Sequence, residues 1–479
     1  ARAGIDDVHL LELEDEAGGN SRGHVMGGIG CPLGAHYLPL PGPHAESVAA
    51  LLDEFGLRRS VGGRVVYDEL HLCHSPQERL FIGGAWHEGL LPPVEALPRA
   101  EREATLAQYR RFSALVARHG ARDTFRMPTS TAPWTDAMAA LDAVTFAAWL
   151  DAQGLDAPAL RWYLDYCCRD DYGAGPAMVS AWAGLHYFAS RSGFHAPGEA
   201  GESEGLLTWP EGNAWLVRRM AAPFMDRVHT GRIVQRIDAS RHEVAVDAWD
   251  VAEQRIERWV APRVIVALPL FVAARLLAAP PAALTDAAAQ QIHAPWLVAN
   301  LHLRQPLTDR DGAPPAWDNV VYGADTLGYV DAMHQSLRPH PGATVLTLYH
   351  ASGGATPEAL AARRRRLLEV DAGSGARGVI DTLRRVPPDL PLFVTAVDLM
   401  RYGHAMSIPV PGVRGSAALR ALAATSGRVH FAHADLSGYS VFEEALDQGE
   451  RAAAQVMRAA AMAKQAVASA MPTSGVRNQ

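Results

Sequence analysis

The sequence predicts an α/β protein of two joined domains, and three observations carry that expectation. Its 479 residues exceed what one ordinary hydrophobic core holds. Near the start, a glycine-ended helical turn leads into an apolar strand that closes on a carboxylate. Near the end, a second strand passes through a short loop into a long alanine-rich helix.

Composition narrows the field. With 48% hydrophobic and 20% charged residues the chain reads as a soluble globular protein. A net charge of −8 and a pI near 6.2 argue against a nucleic-acid partner, since phosphate binding needs a basic face. Cys31, Cys73, Cys167 and Cys168 show neither metal spacing nor a disulfide framework, so no metal is expected. The longest apolar run, Val264 to Ala274, is broken by Pro269 and is too short to span a bilayer. Cytoplasmic and exported locations both stay open. Lys464 is the single lysine.

Ala1-Arg2-Ala3-Gly4 reads as the last turn of a helix, and Val8 to Leu13 as a short buried strand ending in Glu12. Helix, strand and terminal acid form the second half of a nucleotide-binding βαβ unit. There the acid accepts hydrogen bonds from ribose hydroxyls about 20 residues after a glycine turn. Counting back from Glu12 puts that turn before residue 1. The natural chain is therefore expected to extend upstream by roughly 30 residues or more, carrying a strand and a Gly-x-Gly-x-x-Gly turn.

The continuation Leu10-Leu11-Glu12-Leu13-Glu14-Asp15-Glu16-Ala17-Gly18-Gly19-Asn20 resembles the flavin-dependent amine oxidase family, where an acid is followed six residues later by a glycine pair. The resemblance implies FAD as cofactor, Glu12 as its ribose ligand, and Gly18 and Gly19 beside the pyrophosphate. The family usually places arginine directly after the pair. Here Asn20 stands there and Arg22 follows, as a phosphate or flavin contact. Gly34-Ala35-His36-Tyr37 is similar to the segment running along the flavin ring, which makes Gly34 and Ala35 cofactor contacts and His36 and Tyr37 substrate-facing.

Two later stretches match in family order. Leu207 to Asn213 leads into a helix, then Gly231 to Ile237, a strand from Glu243 to Val246, and an apolar strand Val264 to Leu268 closed by Pro269. This resembles the family's β-meander insert, with the Val234 backbone at the adenine and Pro269 on the cofactor side. Asn213 replaces the second glycine of the usual turn, and asparagine also accepts left-handed geometry. Gly427 to Ala432 is a strand, Asp435 follows in a loop, and Ser437 to Ala445 opens the final helix. A helix N-terminus offers free N–H groups and partial positive charge. By resemblance Asp435 contacts the ribityl–pyrophosphate region, and the Val441–Phe442 backbone caps the flavin O2/N1 edge. The family usually reads Ala-Gly-Glu or Ala-Gly-Asp where this chain has Ala432-His433-Ala434-Asp435.

The expected fold is thus a discontinuous FAD-binding Rossmann-like domain (1–75, 205–275, 395–462) plus an α+β substrate domain with a mixed sheet and helices (76–204, 276–394). A tail at 463–479 is read as disordered after Met471. Residues 101–168 read as helices with a start at Thr145, Trp296 to Leu303 and Thr344 to Tyr349 as strands, and Asp371 to Gly378 as a glycine-rich surface loop. Asp170, Asp171, Tyr172, Trp182, His186 and Asp318 sit in aromatic-rich stretches and are candidate substrate contacts. Aromatic rings can strip water from an amine, and acids can attract its remaining charges. Tyr402 and His404 are the catalytic-side candidates. The family's usual lysine, which holds a water at flavin N5, is absent, and Asn300 is the neutral group near that strand.

The resemblance implies hydride transfer from the carbon beside an amine, or a polyamine, to flavin N5, with hydrolysis of the imine. The expected partners are that amine and dioxygen or another electron acceptor, with homodimer formation left open. The rivals are a flavin-dependent desaturase or dehydrogenase of a non-amine substrate, and a non-catalytic protein that has lost flavin binding.

Overall fold

The computed structural model describes residues 4, 5, 7–121, 123–201 and 205–470. The helical turn expected at Ala1-Arg2-Ala3 and the tail from Met471 lie outside them. Among the described residues the largest sheet has seven strands, in the order Val394–Ile408, Ile292–Leu303, Thr344–Ala351, Tyr329–Asp331, Asp318–Val321, Glu78–Ile82 and Ala85–Glu88. Neighbours run antiparallel except Asp318–Val321 with Glu78–Ile82. The sheet draws on both expected substrate-side segments and also takes in Val394–Ile408, beyond the boundary at 394.

Strand Ile292–Leu303 is apolar on both faces because both faces are covered. Trp296 and Val298 join the core beneath the helices Arg102–Gly120, Pro158–Tyr172 and Ala181–Ala189. Ala299, Leu301 and Leu303 alternate to the other side, against Val379 and Leu383. Those last two belong to a helix, Ala372–Leu383, that replaces the surface loop expected at 371–378. Asp371 caps it by accepting the Ser374 amide at 2.9 Å. Gly375 sits so close to Leu399 that a Cβ would lie 2.6 Å from its Cδ1. Capping and apolar burial outweigh the poor helix propensity of three glycines. Thr145 does start a helix, Phe146–Ala152, accepting the Ala148 amide at 3.2 Å.

Three smaller sheets border the cofactor-side segments. Arg232–Ala239, Val244–Asp250 and Arg255–Ala261 form an antiparallel meander. Its third strand went unread because Arg255-Ile256-Glu257-Arg258 looks like a charged loop. Two parallel pairs follow: Leu10–Leu11 with Val228–His229, and Val264–Val266 with Val429–Phe431. Both border one apolar cluster that includes Val266, Leu270 and Phe431. The first strand is shorter and more exposed than expected, with Leu13 56% accessible, since among the described residues it is paired along one edge only. The final helix runs from Phe442 to Ala470, past the expected end at 462. Among the described residues no helix is long and apolar enough to cross a membrane.

Candidate functional site

The cofactor-side residues form a continuous line. The Glu12 amide donates to His229 O at 2.9 Å and its carbonyl accepts from Arg232 at 2.7 Å, fastening the acid to the start of the meander. Its Oε1 accepts the Glu14 amide at 3.0 Å. The chain then turns at Gly18 (φ 139°) and Gly19 (φ 54°), conformations that L side chains rarely adopt. Arg22 is buried behind the turn, donating from Nε to Gly19 O at 3.2 Å and pairing with Glu14 at 3.1 Å. Val234 lies two residues into the meander's first strand, beside a bulge, half-buried against the apolar cluster.

Gly34 and Ala35 are clamped between two turns. Ala35 donates to Asn20 O at 2.7 Å, and Asn213 donates to Ala35 O at 3.0 Å. A Cβ on Gly212 would fall 2.7 Å from Ala35 O, which explains a glycine at φ 64° there. Asn20 Nδ2 reaches Ala405 O at 2.5 Å. The Ser407 amide donates to Ser440 Oγ at 3.1 Å, and the final helix starts two residues later at Phe442. Val441 packs on the large core, and Phe442 on the cluster around Trp209 and Leu216.

Asp435 is fully buried, and its side chain is taken up by protein partners. Oδ2 accepts the Leu270 amide, next to Pro269, at 2.9 Å, and Oδ1 meets His293 at 3.1 Å, His433 at 3.2 Å and the Ser407 hydroxyl. Burial by itself would raise its pKa, but His433 and His293 together hold the carboxyl well below the usual range. The side chain therefore ties three segments together rather than standing open to a ligand.

On the substrate side, four rings converge. His36 stacks on Tyr349 (4.2 Å between centroids, 21°) and touches Trp317 at 5.3 Å and Tyr37 at 5.1 Å. The Tyr349 hydroxyl donates to Gly34 O at 3.0 Å, joining the cage to the cofactor-side loop. Burial, opposed by a backbone hydrogen bond at Gly34, lowers the His36 pKa to about 3, which keeps the ring neutral.

Carboxylates flank these rings. The Tyr37 hydroxyl stands 3.4 Å from Asp170 Oδ2, and Tyr166 donates to Asp318 Oδ2 at 3.3 Å. Burial and the neighbouring Asp171 push Asp170 up to about 7. Burial, then Asp170 and Glu78, raises Asp318 well above the usual range. Glu78 was missed from sequence; it faces Asp318 across the one parallel pairing of the sheet, a register that spacing does not reveal.

Several candidates fall elsewhere. Asp171 pairs with Arg191 through both oxygens, at 3.0 and 3.1 Å, turned away from Asp170 by the helix. Tyr172 donates to Ala183 O at 2.9 Å, Trp182 is buried, and His186 bonds Arg126 O at 2.9 Å. These four belong to the helical core, because the same helices that carry aromatics also bury them. Asn300 spends its amide on Pro32 O at 3.0 Å and on the Thr347 hydroxyl at 2.6 Å, a cross-strand pin in place of the water-orienting role.

Tyr402 and His404 diverge, since the ladder is irregular between Tyr402 and Met406. The Tyr402 hydroxyl is buried beside Arg22, and burial, opposed by that guanidinium, raises its pKa. His404 is exposed and lies 4.7 Å from Phe271. Partial desolvation where the ring lies against Phe271, with Arg364, His293 and Arg275 nearby, lowers its pKa to about 4.

Residues 1–457 match the family model described as flavin containing amine oxidoreductase. No curated protein matches the chain by sequence. Solved structures of similar fold include a putrescine oxidase bound to putrescine, at 17% identity and TM-score 0.65, covering 95% of this chain and 94% of that one. A cyclohexylamine oxidase from Brevibacterium oxydans IH-35A aligns at 18% identity and TM-score 0.61, covering 93% and 92%. A CLA-producing fatty acid isomerase from P. acnes aligns at 13% identity and TM-score 0.60, covering 93% and 92%. At these identities the likeness is one of fold.

Proposed function

The chain belongs to the flavin-containing amine oxidoreductase family and is an FAD-dependent oxidoreductase, and from that premise we propose that it oxidises a di- or polyamine. The two parallel strand pairs are read as parts of one Rossmann-like unit, since both border the same apolar cluster.

The residues fit an extended dinucleotide. Glu12, Gly18, Gly19, Arg22, Gly34, Ala35 and the Val441–Phe442 backbone follow one another along linked loops. Space is open at Gly19, where a Cβ would meet nothing within 4 Å. The Tyr402 hydroxyl, buried beside Arg22, adds a polar group next to the turn. FAD, when bound, accepts the hydride removed from the carbon beside the amine. Arg22 and the glycine turn would hold its pyrophosphate, and Glu12 its ribose.

The chain's own part is positioning and dryness. His36, Tyr37, Trp317 and Tyr349 exclude water around the reacting nitrogen and so favour its neutral form. Asp170 and Asp318 receive a second, remote ammonium. The observation carrying this reading is the pair of carboxylates at the edge of the cage, one on Tyr37 and one on Tyr166. The fold alone does not choose the substrate, because a fatty acid isomerase shares it. An absorbance spectrum of the purified protein reports bound flavin, and anaerobic addition of putrescine should bleach it. Flavin that no amine bleaches would remove the amine reading.

A further inference from the structure

After the helix Glu46–Glu54 the chain forms a hairpin that joins no larger sheet among the described residues, Arg58–Val61 against Arg64–Tyr67. Gly62 (φ 58°) and Gly63 (φ 78°) supply the two left-handed residues that a tight hairpin turn requires. The base is anchored. Leu57 is buried, its carbonyl accepts the Asp68 amide at 2.9 Å, and Tyr67 packs on the cluster that holds Leu52 and Trp209. The tip is not covered: residues 59–65 are all exposed, and a Cβ on either turn glycine would meet no atom within 4 Å.

Residues directly opposite across an antiparallel pair share a face. The register sets Arg59 against Val66 and Val61 against Arg64, so one face of the hairpin carries two arginines and two valines. Among the described residues Arg59 and Arg64 form no hydrogen bond or ion pair, whereas Arg58, on the other face, is held by Asp53 at 2.7 Å. Residues 58–66 contain three arginines and no acid, in a chain of net charge −8. Val61 and Val65 are 55% and 51% accessible. Strand preference accounts for the valines, but it gives no reason for free guanidinium groups between them.

We propose that this hairpin tip docks on an anionic phospholipid surface, with Arg59 and Arg64 at the headgroup phosphates and Val61 dipping between them. Charge complementarity sets the sign of the partner, because unpaired cations projecting from an acidic protein attract anions. Size selects lipid over an acidic protein. A stable protein interface engages about 20–30 residues a side, and residues 59–65 fall far short of that. A lipid surface needs only a few cations near its headgroups and shallow apolar side chains beside them. Neither the cofactor nor the amine takes part in this contact.

Co-sedimentation of the full chain with vesicles tests the docking, using phosphatidylcholine alone or mixed with phosphatidylglycerol, at low and high salt. The parent should sediment with the mixed vesicles at low salt and stay in solution with phosphatidylcholine alone. Each surface arginine contributes about fivefold to such binding, so Arg59→Gln combined with Arg64→Gln should weaken it roughly 25-fold. Val61→Ser should weaken it at both salt concentrations, and Arg365→Gln, a change at an exposed arginine on another helix, should leave it unchanged. Thermal midpoints should match the parent's in all three variants, since the altered side chains are exposed. A parent that ignores the mixed vesicles would overturn the proposal, as would salt-independent binding by the parent or full binding by the double arginine variant. Capture by soluble polyglutamate but not by vesicles would also overturn it, in favour of an acidic protein partner.

Discussion

Gly34 and Asn20 approach so closely that a Cβ on Gly34 would overlap the Asn20 carbonyl oxygen, which already accepts the Ala35 amide at 2.7 Å. Both neighbours are backbone, so neither can swing aside. Gly34→Ala should therefore force the two loops apart, at a cost of about 1–3 kcal/mol or more, and release FAD. Thermal melts with and without added FAD check this. A variant that melts and retains flavin like the parent would show that the loops yield.

The same contact marks how far sequence reasoning reached. Gly18, Gly19 and Gly34 were legible because turns and close backbone approaches restrict residue choice; Asn213, expected in left-handed geometry, has a right-handed φ of −66°, and the left-handed turn falls on Gly212. The long buried strands were legible from their continuous apolar runs. Glu78 was not, because nothing in a single strand states which partner it will lie beside. Asp171, Tyr172, Trp182 and His186 misled for the opposite reason: polar and aromatic residues on a buried helix satisfy each other as readily as they serve a ligand. Asp435 was read as a cofactor contact, whereas its side chain is taken up by Leu270, His293 and Ser407, from distant segments that no local pattern joins.

Asp435→Ala should be strongly destabilising, by about 3–5 kcal/mol, because it strands the Leu270 amide, Ser407 and His293 in the interior. Because the folded carboxyl titrates well below its ordinary value of 3.8, the stability it provides is present above that value. It is lost as pH falls through the depressed folded value. Urea denaturation of parent and variant between pH 3 and 7 measures this: the parent's advantage should shrink toward the acid end. An advantage unchanged with pH would mean the carboxylate charge is not what holds the three segments.

Asp170 has the reverse linkage. Its folded pKa is raised to about 7 from 3.8, so the folded state keeps a proton that the unfolded state loses. Stability then falls as pH rises from about 4 to about 7, by up to roughly 4 kcal/mol. Asp170→Asn should accordingly be more stable than the parent at pH 8 and nearly equal to it at pH 4, read as the midpoint of thermal unfolding. Such a trade of stability for a charged group is expected where the group serves binding. A variant less stable than the parent at pH 8 would show that the Tyr37 contact outweighs the burial of charge.

That trade leads to the substrate. If Asp170 and Asp318 receive a remote ammonium, a diamine should be favoured over a monoamine of similar bulk, and the preference should fall when either acid is neutralised. The ammonium itself would draw the carboxyls into their ionised form, since an opposite charge nearby stabilises the anion. Tyr37 and Tyr166, which donate to the two acids, can turn their hydroxyls without leaving the cage. Losing a charge-assisted hydrogen bond costs about 1.5–3 kcal/mol, so Asp170→Asn and Asp318→Asn should each lower kcat/KM for putrescine or spermidine by roughly 10- to 100-fold. A simple alkylamine should change little. Because both acids are half-buried rather than exposed, added salt should weaken capture of the diamine from solution but leave much of the difference between parent and variant intact. Measuring kcat/KM for the three amines at low and high ionic strength separates these effects. If both variants lose activity equally on monoamine and diamine, the carboxylates shape the cage and do not read the second charge.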